Sequence, residues 1–590
     1  MMHRFKDFRS LVFSRRAFIL VALKCLVLFG LAVRLFFLQI LKSDKYKTLS
    51  EKNRIKFFLI EPKRGFIKDE RGITLAENKL NYQLYFYKQR NKKHEKVLDI
   101  VFDLLNAKQS ERNYIRKAVE DSSYLYPILI QDGLSWNHII KVESNIANLS
   151  GIYISKGYIR FYPMKEMLAH VLGYVGIPTK GEVKEYKLQH ASGFRIGKTG
   201  VEKVKNTSLI GEFGVKKVEV NAYRSVVREL DQEQSVKGQD ISLTINQRLQ
   251  EHVYNVVREN GGSAVVIDIE NGNVLSMVSR PSFDPNIFSM PVSHRDWGNI
   301  VQNKHHPLNN RAIATLYPPG SVWKIITGLA ILEHGINANK KVFCSGSTKV
   351  GNQVYKCWKK SGHGPMDLKN AIYNSCNVYF YEMSQQTGIN NIHNVADILG
   401  FGNQTGLGLP GELAGVNPSR TWKENIYRKS WLIGDTVNSS IGQGYNLVTP
   451  MQLALMSARV ASGLNITPNL YLDNAKNIDH KKLSIAEKNL EIIRSSLNGV
   501  FNNPSGSGYN IRITEKQYRL AGKAGTAQVV SQDTVHTLTR RIRSHAMFAG
   551  YAPVDNPKYA VSVVADNAGW GIKNAAPIGI DILYFAQTKL

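Results

Sequence analysis

The pattern of apolar and polar positions changes character several times along this chain, and each change marks a boundary. The first apolar stretch has no period at all: AFILVALKCLVLFGLAVRLFFLQI, Ala17 to Ile40, has the length that spans a bilayer as a helix. Lys24 and Arg34 interrupt it; Arg34 can snorkel from one end, and Lys24 is the costlier exception. No small-residue cleavage site precedes the polar Lys42-Ser43-Asp44, so the segment reads as an uncleaved anchor (residues 17–40) rather than a signal peptide. Arg4, Lys6, Arg9, Arg15 and Arg16 lie in or at the edge of the tail before it (residues 1–16), which keeps the N-terminus in the cytoplasm and puts nearly everything after Ile40 outside.

From residue 53 to 237 the pattern is short and broken. YQLYFY (Tyr82 to Tyr87) alternates as a strand, EPKRGFIKDERGITLAEN (Glu61 to Asn78) reads as strand, turn at Arg71-Gly72, strand, and Glu95 to Leu105 has helical spacing. Nothing in this region has catalytic spacing, so it reads as a platform or interaction module. LDQEQSVKGQD, Leu230 to Asp240, lacks apolar periodicity and reads as a linker. Beyond it, Leu249, Val253, Val256 and Val257 fall at helical spacing, and SAVVIDIENGNVLSMVS (Ser263 to Ser279) reads as a hairpin joined at Asn271-Gly272. HAMFAGYAP (His545 to Pro553) and YAVSVVA (Tyr559 to Ala565) repeat the strand pattern near the end. Strands from both ends of residues 241–590 with helices between them predict an α+β domain.

Composition adds two constraints. A chain of 590 residues is too long for one ordinary core, and 43% hydrophobic with 21% charged residues is a globular balance. Lys and Arg number 77 against 47 Asp and Glu, a formal charge of +30 that raises nucleic acid, anionic lipid or an anionic polymer as partner. There is no zinc-finger spacing, P-loop or RNA-binding aromatic motif, and the basic residues are spread out, which argues against nucleic acid.

YPPGSVWKIITGLAILEHG, Tyr317 to Gly335, opens on Pro318, Pro319 and Gly320 and keeps helical spacing until Gly335. Ser321 therefore stands at a helix N-terminus with Lys324 three residues on, along the same face. A desolvated, neutral lysine there can take the serine proton, and the helix end offers N–H groups to an oxyanion. Alone, S-x-x-K is a weak motif that recurs by chance on exposed helix surface. YNSCN (Tyr373 to Asn377) supplies S-x-N; if extended locally, it sends Ser375 and Asn377 to one side and Cys376 to the other. LAGKAGTAQV (Leu520 to Val529) supplies K-x-G, with Lys523 before Gly525 and Thr526 on a strand whose small residues admit a close ligand. S-x-x-K, S-x-N and K-x-G in this order are the pattern of the penicillin-recognising serine enzymes.

On these motifs the chain resembles the class B penicillin-binding proteins, and among them the peptidoglycan D,D-transpeptidases of cell elongation rather than the division-specific relatives. RSLVFSRRAF with RLFFLQI is similar to the family's anchor, and PKRGFIKDERGITLAEN to the opening strand of its pedestal. IGKTGVEKVKNTSLIGEFGVKKVEVNAYRSVVREL (Ile196 to Leu230) is similar to the pedestal's close, and LYPPGS, GDTVNSSIGQGYNLVTPMQLA, KAGTAQ and AAPI to the catalytic domain. The resemblance implies an elongated β-rich pedestal and a penicillin-binding domain with an antiparallel sheet flanked by helices. It implies an inner-membrane protein with a periplasmic catalytic domain, acting on peptidoglycan stem peptides and acylated by β-lactams. With no glycosyltransferase region between anchor and pedestal, it implies a multispanning membrane glycosyltransferase as partner.

Carried over residue by residue, Ser321 attacks the carbonyl between the two D-alanines of a stem pentapeptide, and Lys324 is its base. Ser375 relays the proton toward the leaving amine, Asn377 holds the donor backbone, and Lys523 keeps Lys324 neutral by repulsion and attracts the substrate carboxylate. The N–H groups of Ser321 and Thr526 form the oxyanion hole. Three positions depart from the family: Ala524 for a usual Thr, Ile325 for a common Pro, and Asn246 for a common Asp. The same acylation suits a membrane-anchored D,D-carboxypeptidase, or a β-lactam sensor or scaffold, although a sensor needs a further membrane-spanning region that is not seen.

The cysteines pose a separate question. Cys25 lies in the anchor, which leaves Cys344, Cys357 and Cys376 in an oxidising exterior, with His363 in a Ser-Gly-His-Gly turn among them. Three thiolates and an imidazole make a closed tetrahedral Zn2+ set; a Cys344–Cys357 disulfide with free Cys376, or three buried thiols, are the other readings. The family resemblance implies zinc, commonly held by two Asp, one His and one Cys, with Cys344 and Cys357 standing in for the aspartates.

Overall fold

The structure is a computed structural model that describes residues 15–44, 54–88, 94–121, 127–186, 193–220, 226–258, 261–290, 292, 294–473, 480–528 and 544–590. The basic residues Arg4, Lys6 and Arg9, and Val529 at the end of the K-x-G segment, lie outside them. Phe18–Leu41 is a helical segment with mean hydropathy 2.4 and no burial, long and apolar enough to cross a membrane. It is α-helical over Arg15–Phe36 and relaxes into a π turn at Phe37–Leu41.

Among the described residues the pedestal has two larger sheets and a two-stranded one, Val175–Gly176 with Ile196–Gly197. Ile55–Ile60 pairs with Gly214–Val220, which pairs with Val226–Glu233. Ile67–Lys68 joins Thr74–Phe86 antiparallel, and Thr74–Phe86 also pairs with Ile152–Phe161 and Ile128–Gln131. The turn between the first two is closed by the Asp69 carboxylate, which accepts from the N–H groups of Arg71 and Ile73, with Gly72 at φ +84° where a side chain is disfavoured. One buried ionic cluster ties these strands to the segment behind them. Glu202, fully buried, accepts from Arg64 Nε and Arg160 Nε at 2.6 Å each, and Arg64 also donates to Asn206.

Two sequence expectations need correction here. The stretch read as a linker begins inside the strand Val226–Glu233; it is an exposed edge strand with both faces in water, so it never needed an apolar alternation. The pedestal also holds helices beyond the one expected (observed at His94–Leu104), including Gln109–Asp121 and Trp136–Ser144. Gln109–Asp121 buries only Ile115 and Val119, a stripe too thin to show in the pattern.

The second domain is organised by a five-stranded antiparallel sheet in the order Val274–Arg280, Gly262–Asp268, Tyr559–Ala565, His545–Ala552, Ala521–Ala527. Both chain ends of the domain thus contribute, as the strand pattern predicts. Register decides what covers each face. Phe548 is opposite Val563 and meets Gly579 of the C-terminal helix Ala576–Lys589, whereas Ala549 is opposite Ser562, whose hydroxyl donates to Pro450 O of the helix Pro450–Ser462. Helices on both faces bury all but one residue of each strand, which explains the Val, Ile and Ala runs in the central ones. The junction with the pedestal is specific. Asn246 caps the helix Gln247–Val256 through its Oδ1 and donates its amide to Glu70, a bond that an aspartate at this position could not make.

Candidate active site

The Pro-Pro-Gly turn sets the position of Ser321. Tyr317 and Val448 exchange backbone bonds, and Gly320 N–H donates to Gly442 O at 2.9 Å. Gly320 has φ +54°, and a Cβ there would stand 2.6 Å from Thr526 O, so only glycine lets the turn lie directly on the strand Ala521–Ala527. From the other side, a Cβ on Gly525 would stand 2.9 Å from Pro319 O. Ser321 sits in a 3-10 turn, Gly320–Trp323, and the α-helix proper starts at Lys324 and runs to Glu333. Residues 324–332 are all buried, because this helix is the central one of the domain, and that is why Lys324 is 0% exposed.

Lys324 Nζ donates to Ser375 O at 2.8 Å, Ser375 Oγ at 3.2 Å and Asn377 Oδ1 at 2.6 Å. The S-x-N loop reaches it by a route different from the extended one expected. Ser375 takes a left-handed conformation, φ +52°, Cys376 is extended, and Asn377 is the first residue of the helix Asn377–Thr387. Ser375 and Asn377 still share the side facing Lys324, while Cys376 is wholly buried behind them. The Asn377 amide is engaged inside the protein, accepting from Lys324 and donating to Lys356 O at 3.4 Å.

Burial pushes Lys324 down to about 8, against the pull of Cys376 and Cys357, which raises it. Lys523 is also fully desolvated and lies well below the ordinary lysine range, first through burial and then through the charge of Lys324; its Nζ donates to Ala524 O at 3.0 Å. The neutrality expected from Lys523's repulsion therefore comes chiefly from burial, and the repulsion falls on Lys523 instead.

Cys344, Cys357, His363 and Cys376 converge, with all their ligand atoms within 4.8 Å of one another. The three thiols are unpaired, which leaves no disulfide between Cys344 and Cys357. His363 Nδ1 is 3.6 Å from both Cys344 Sγ and Cys357 Sγ, close to the edge of about 3.5–3.8 Å that a tetrahedron with zinc-like bond lengths would have. Nδ1 is thus the ring nitrogen that faces the sulfurs, and Nε2, the other one, is buried without a hydrogen-bond partner. Contact with Cys376 and with His363 pushes the Cys357 thiol down, and contact with Cys357 pushes Cys376 up. The cluster joins the catalytic loop directly: Asn377 N–H donates to Cys357 Sγ at 3.4 Å.

Residues 262–584 match the family described as penicillin binding protein transpeptidase domain. The chain belongs to the class B penicillin-binding proteins. Residues 59–243 match the penicillin-binding protein dimerisation domain, which coincides with the pedestal. Among curated relatives, "Peptidoglycan D,D-transpeptidase MrdA" of Salmonella typhimurium is 32% identical over 98% of this chain and 97% of its own length. The protein of the same name from Haemophilus influenzae is 33% identical over 98% and 92%. Among solved structures, a "Complex between Penicillin-Binding Protein (PBP2) and MreC from Helicobacter pylori" aligns with TM-score 0.80 at 28% identity, covering 91% of this chain and 99% of that one. A structure titled "Structural coordination of polymerization and crosslinking by a peptidoglycan synthase complex" aligns with TM-score 0.71 at 27% identity, covering 97% and 99%.

Within this penicillin-binding fold, three residues outside the S-x-x-K, S-x-N and K-x-G motifs donate to the site. Trp358 Nε1 donates to Asn374 O and Ser375 O at 3.1 and 3.2 Å, bracing the left-handed residue. Gly571 N–H donates to Thr526 Oγ1 at 3.2 Å, and Gln443 Nε2 reaches Thr526 O at 3.5 Å. Gln443 stands in a segment whose family likeness was visible; Trp358 and Gly571 act through contacts that only the fold creates.

Proposed function

We propose that the protein is a membrane-anchored peptidoglycan D,D-transpeptidase of cell elongation, working through an acyl-Ser321 intermediate. The observation that carries the reading is the meeting of four elements: the Ser321 turn, Lys324, the Ser375–Asn377 loop and the Lys523–Thr526 strand. Lys324, desolvated and near neutrality, takes the proton as Ser321 Oγ attacks the D-Ala–D-Ala carbonyl. The Ser321 and Thr526 N–H groups receive the oxyanion, consistent with the contact of Gly320 against Thr526. The C–N bond breaks, Ser375 passes the proton from Lys324 to the departing D-alanine amine, and Ser321 is left as an ester. A neighbouring stem-peptide amine then attacks the ester, forming the cross-link and returning the proton to Ser321.

Lys523, beside Gly525 and Thr526, receives the substrate's terminal carboxylate, with Thr526 supplying the hydroxyl that Ala524 lacks. Asn377 fixes Lys324, and it holds the donor backbone once its bond to Lys356 O opens. Cys344, Cys357, His363 and Cys376 would hold Zn2+ as a closed set, and the ion would supply structure rather than a reacting group. The helix Phe18–Leu41 anchors the chain with its N-terminus inside and the catalytic domain in the periplasm. One solved relative is a complex with MreC, and another is titled for the coordination of polymerization and crosslinking by a synthase complex; the second supports a polymerising partner, read here as the multispanning membrane glycosyltransferase expected from the sequence. Donor and acceptor stem peptides supplied together test the reading: cross-linked dimer is expected, whereas D-Ala release with no dimer makes the protein a carboxypeptidase.

A further inference from the structure

Between Glu333 and Asp367 the sequence contains six lysines and no carboxylate. Four of them, Lys349, Lys356, Lys359 and Lys360, are exposed and fall on one small element, the hairpin Ser347–Val350 with Gln353–Lys356 and the turn that follows it. That element is fixed at the edge of the catalytic loop. Asn377 Nδ2 donates to Lys356 O, Asn377 N–H donates to Cys357 Sγ, and Trp358 Nε1 donates to Ser375 O. Its base is held too: Cys357 N–H donates to Gly346 O, His363 N–H donates to Cys344 O, and Gly346 (φ +103°) would put a Cβ 2.1 Å from Lys360 O. The lysines therefore project from a scaffold rather than a floppy loop.

Three carboxylates around this element have partners, among them Asp435, which pairs with Lys423. Thr348 Oγ1 bonds Glu382, and Asp367 caps the helix Leu368–Tyr373 by accepting from Asn370 N–H. On the other side the hairpin meets the segment around Gly434, where an added Cβ would stand 2.7 Å from Tyr355 Oη; that segment brings further cations, Arg428 and Lys429, and exposed Leu432 and Ile433. The result is a lysine-rich margin beside the Ser375–Asn377 loop, on a stretch whose own sequence holds no carboxylate.

Resting on the transpeptidase reading, we propose that this margin docks the uncross-linked strand itself, by ionic contact with carboxylates on stem peptides beyond the one being acylated. The chemistry favours a polymer over a single peptide. Exposed lysine–carboxylate pairs are individually weak, so one stem gains little. Several stems on one strand engage several lysines together, and the second contact is intramolecular. At physiological salt such attraction reaches about 8 Å, enough to span adjacent lysines of the turn.

The test uses the full-length protein and two charge reversals, Lys359→Glu with Lys360→Glu, and separately Lys349→Glu, which lies on the strand away from the cysteines. The substrates are polymeric uncross-linked peptidoglycan and a soluble labelled penicillin. The double variant is expected to raise KM for the polymer about tenfold at low salt, with the gap closing near 1 M salt as screening shortens the range to about 3 Å. Lys349→Glu is expected to act in the same direction with a smaller change, and penicillin acylation should stay within about twofold of wild type in both. An unchanged polymer KM in both variants overturns the proposal, and so does an equal loss with penicillin, which would place the effect in the loop. A wild type that penicillin never acylates would instead overturn the transpeptidase reading beneath it.

Discussion

Replacing Gly320 by alanine adds one methyl group where the nucleophile turn lies on the Lys523 strand, and its effect can be worked from the structure. The added Cβ would stand 2.6 Å from Thr526 O and 2.9 Å from Thr526 C, where ordinary contact begins at 3.4 Å. The turn must therefore retreat by roughly 0.8 Å from backbone that a sheet partner holds in place, Thr526 being paired with Ala546. The left-handed φ of +54° adds about 1–2 kcal/mol for any L side chain. A displacement of about 1 Å at reacting atoms costs on the order of 100-fold in rate. Acylation of Gly320→Ala by labelled penicillin should fall about 100-fold, while melting drops only by about 3 °C, as expected for a strain of about 2 kcal/mol in a domain this large. Stopped-flow acylation and calorimetry on the same sample measure both. An acylation rate within threefold of wild type would refute the claim that this contact sets the Ser321–Thr526 geometry.

Other outcomes follow from the same coordinates. The neutral amine of Lys324 is the reactive form, and burial holds it near 8, so the acylation rate should rise with pH through a limb centred at or below about pH 8. Cation binding to the thiolates removes their upward pull and moves that limb lower; a limb centred near 10 would contradict the assignment. Glu202→Gln leaves two buried guanidiniums without their countercharge, a loss of about 3–5 kcal/mol that should lower the pedestal transition in calorimetry by about 10 °C. An unchanged transition would show that the cluster is dispensable.

Much of this architecture is legible in the sequence because burial writes a simple pattern. Ala264 to Ile267 and Val561 to Val564 lie in strands covered on both faces, so their apolar runs announce a core sheet. Ser321, Lys324, Ser375, Asn377 and Lys523 were legible as types at fixed spacing, but the forces among them were not. That burial of its helix lowers Lys324 to about 8, and that the Asn377 amide is already engaged, depends on packing between segments far apart in the chain. The left-handed Ser375 was equally hidden, since serine carries no local signal for φ +52°; the brace is Trp358, 17 residues away. The sequence left the cysteines open between metal, disulfide and buried thiols; that their ligand atoms and that of His363 lie within 4.8 Å of one another depends on segments that only the fold brings together. In the pedestal, thin apolar stripes and an edge strand in water leave too little pattern to read.

The central claim is that Ser321 is the acyl-bearing nucleophile of a complete site. Intact-mass analysis of the protein after incubation with a β-lactam, followed by peptide mapping, tests it most directly. One adduct on the peptide containing Ser321 is predicted for the wild type, and none for Ser321→Ala folded to the same melting temperature; an adduct that persists in the variant, or maps to another residue, would contradict it.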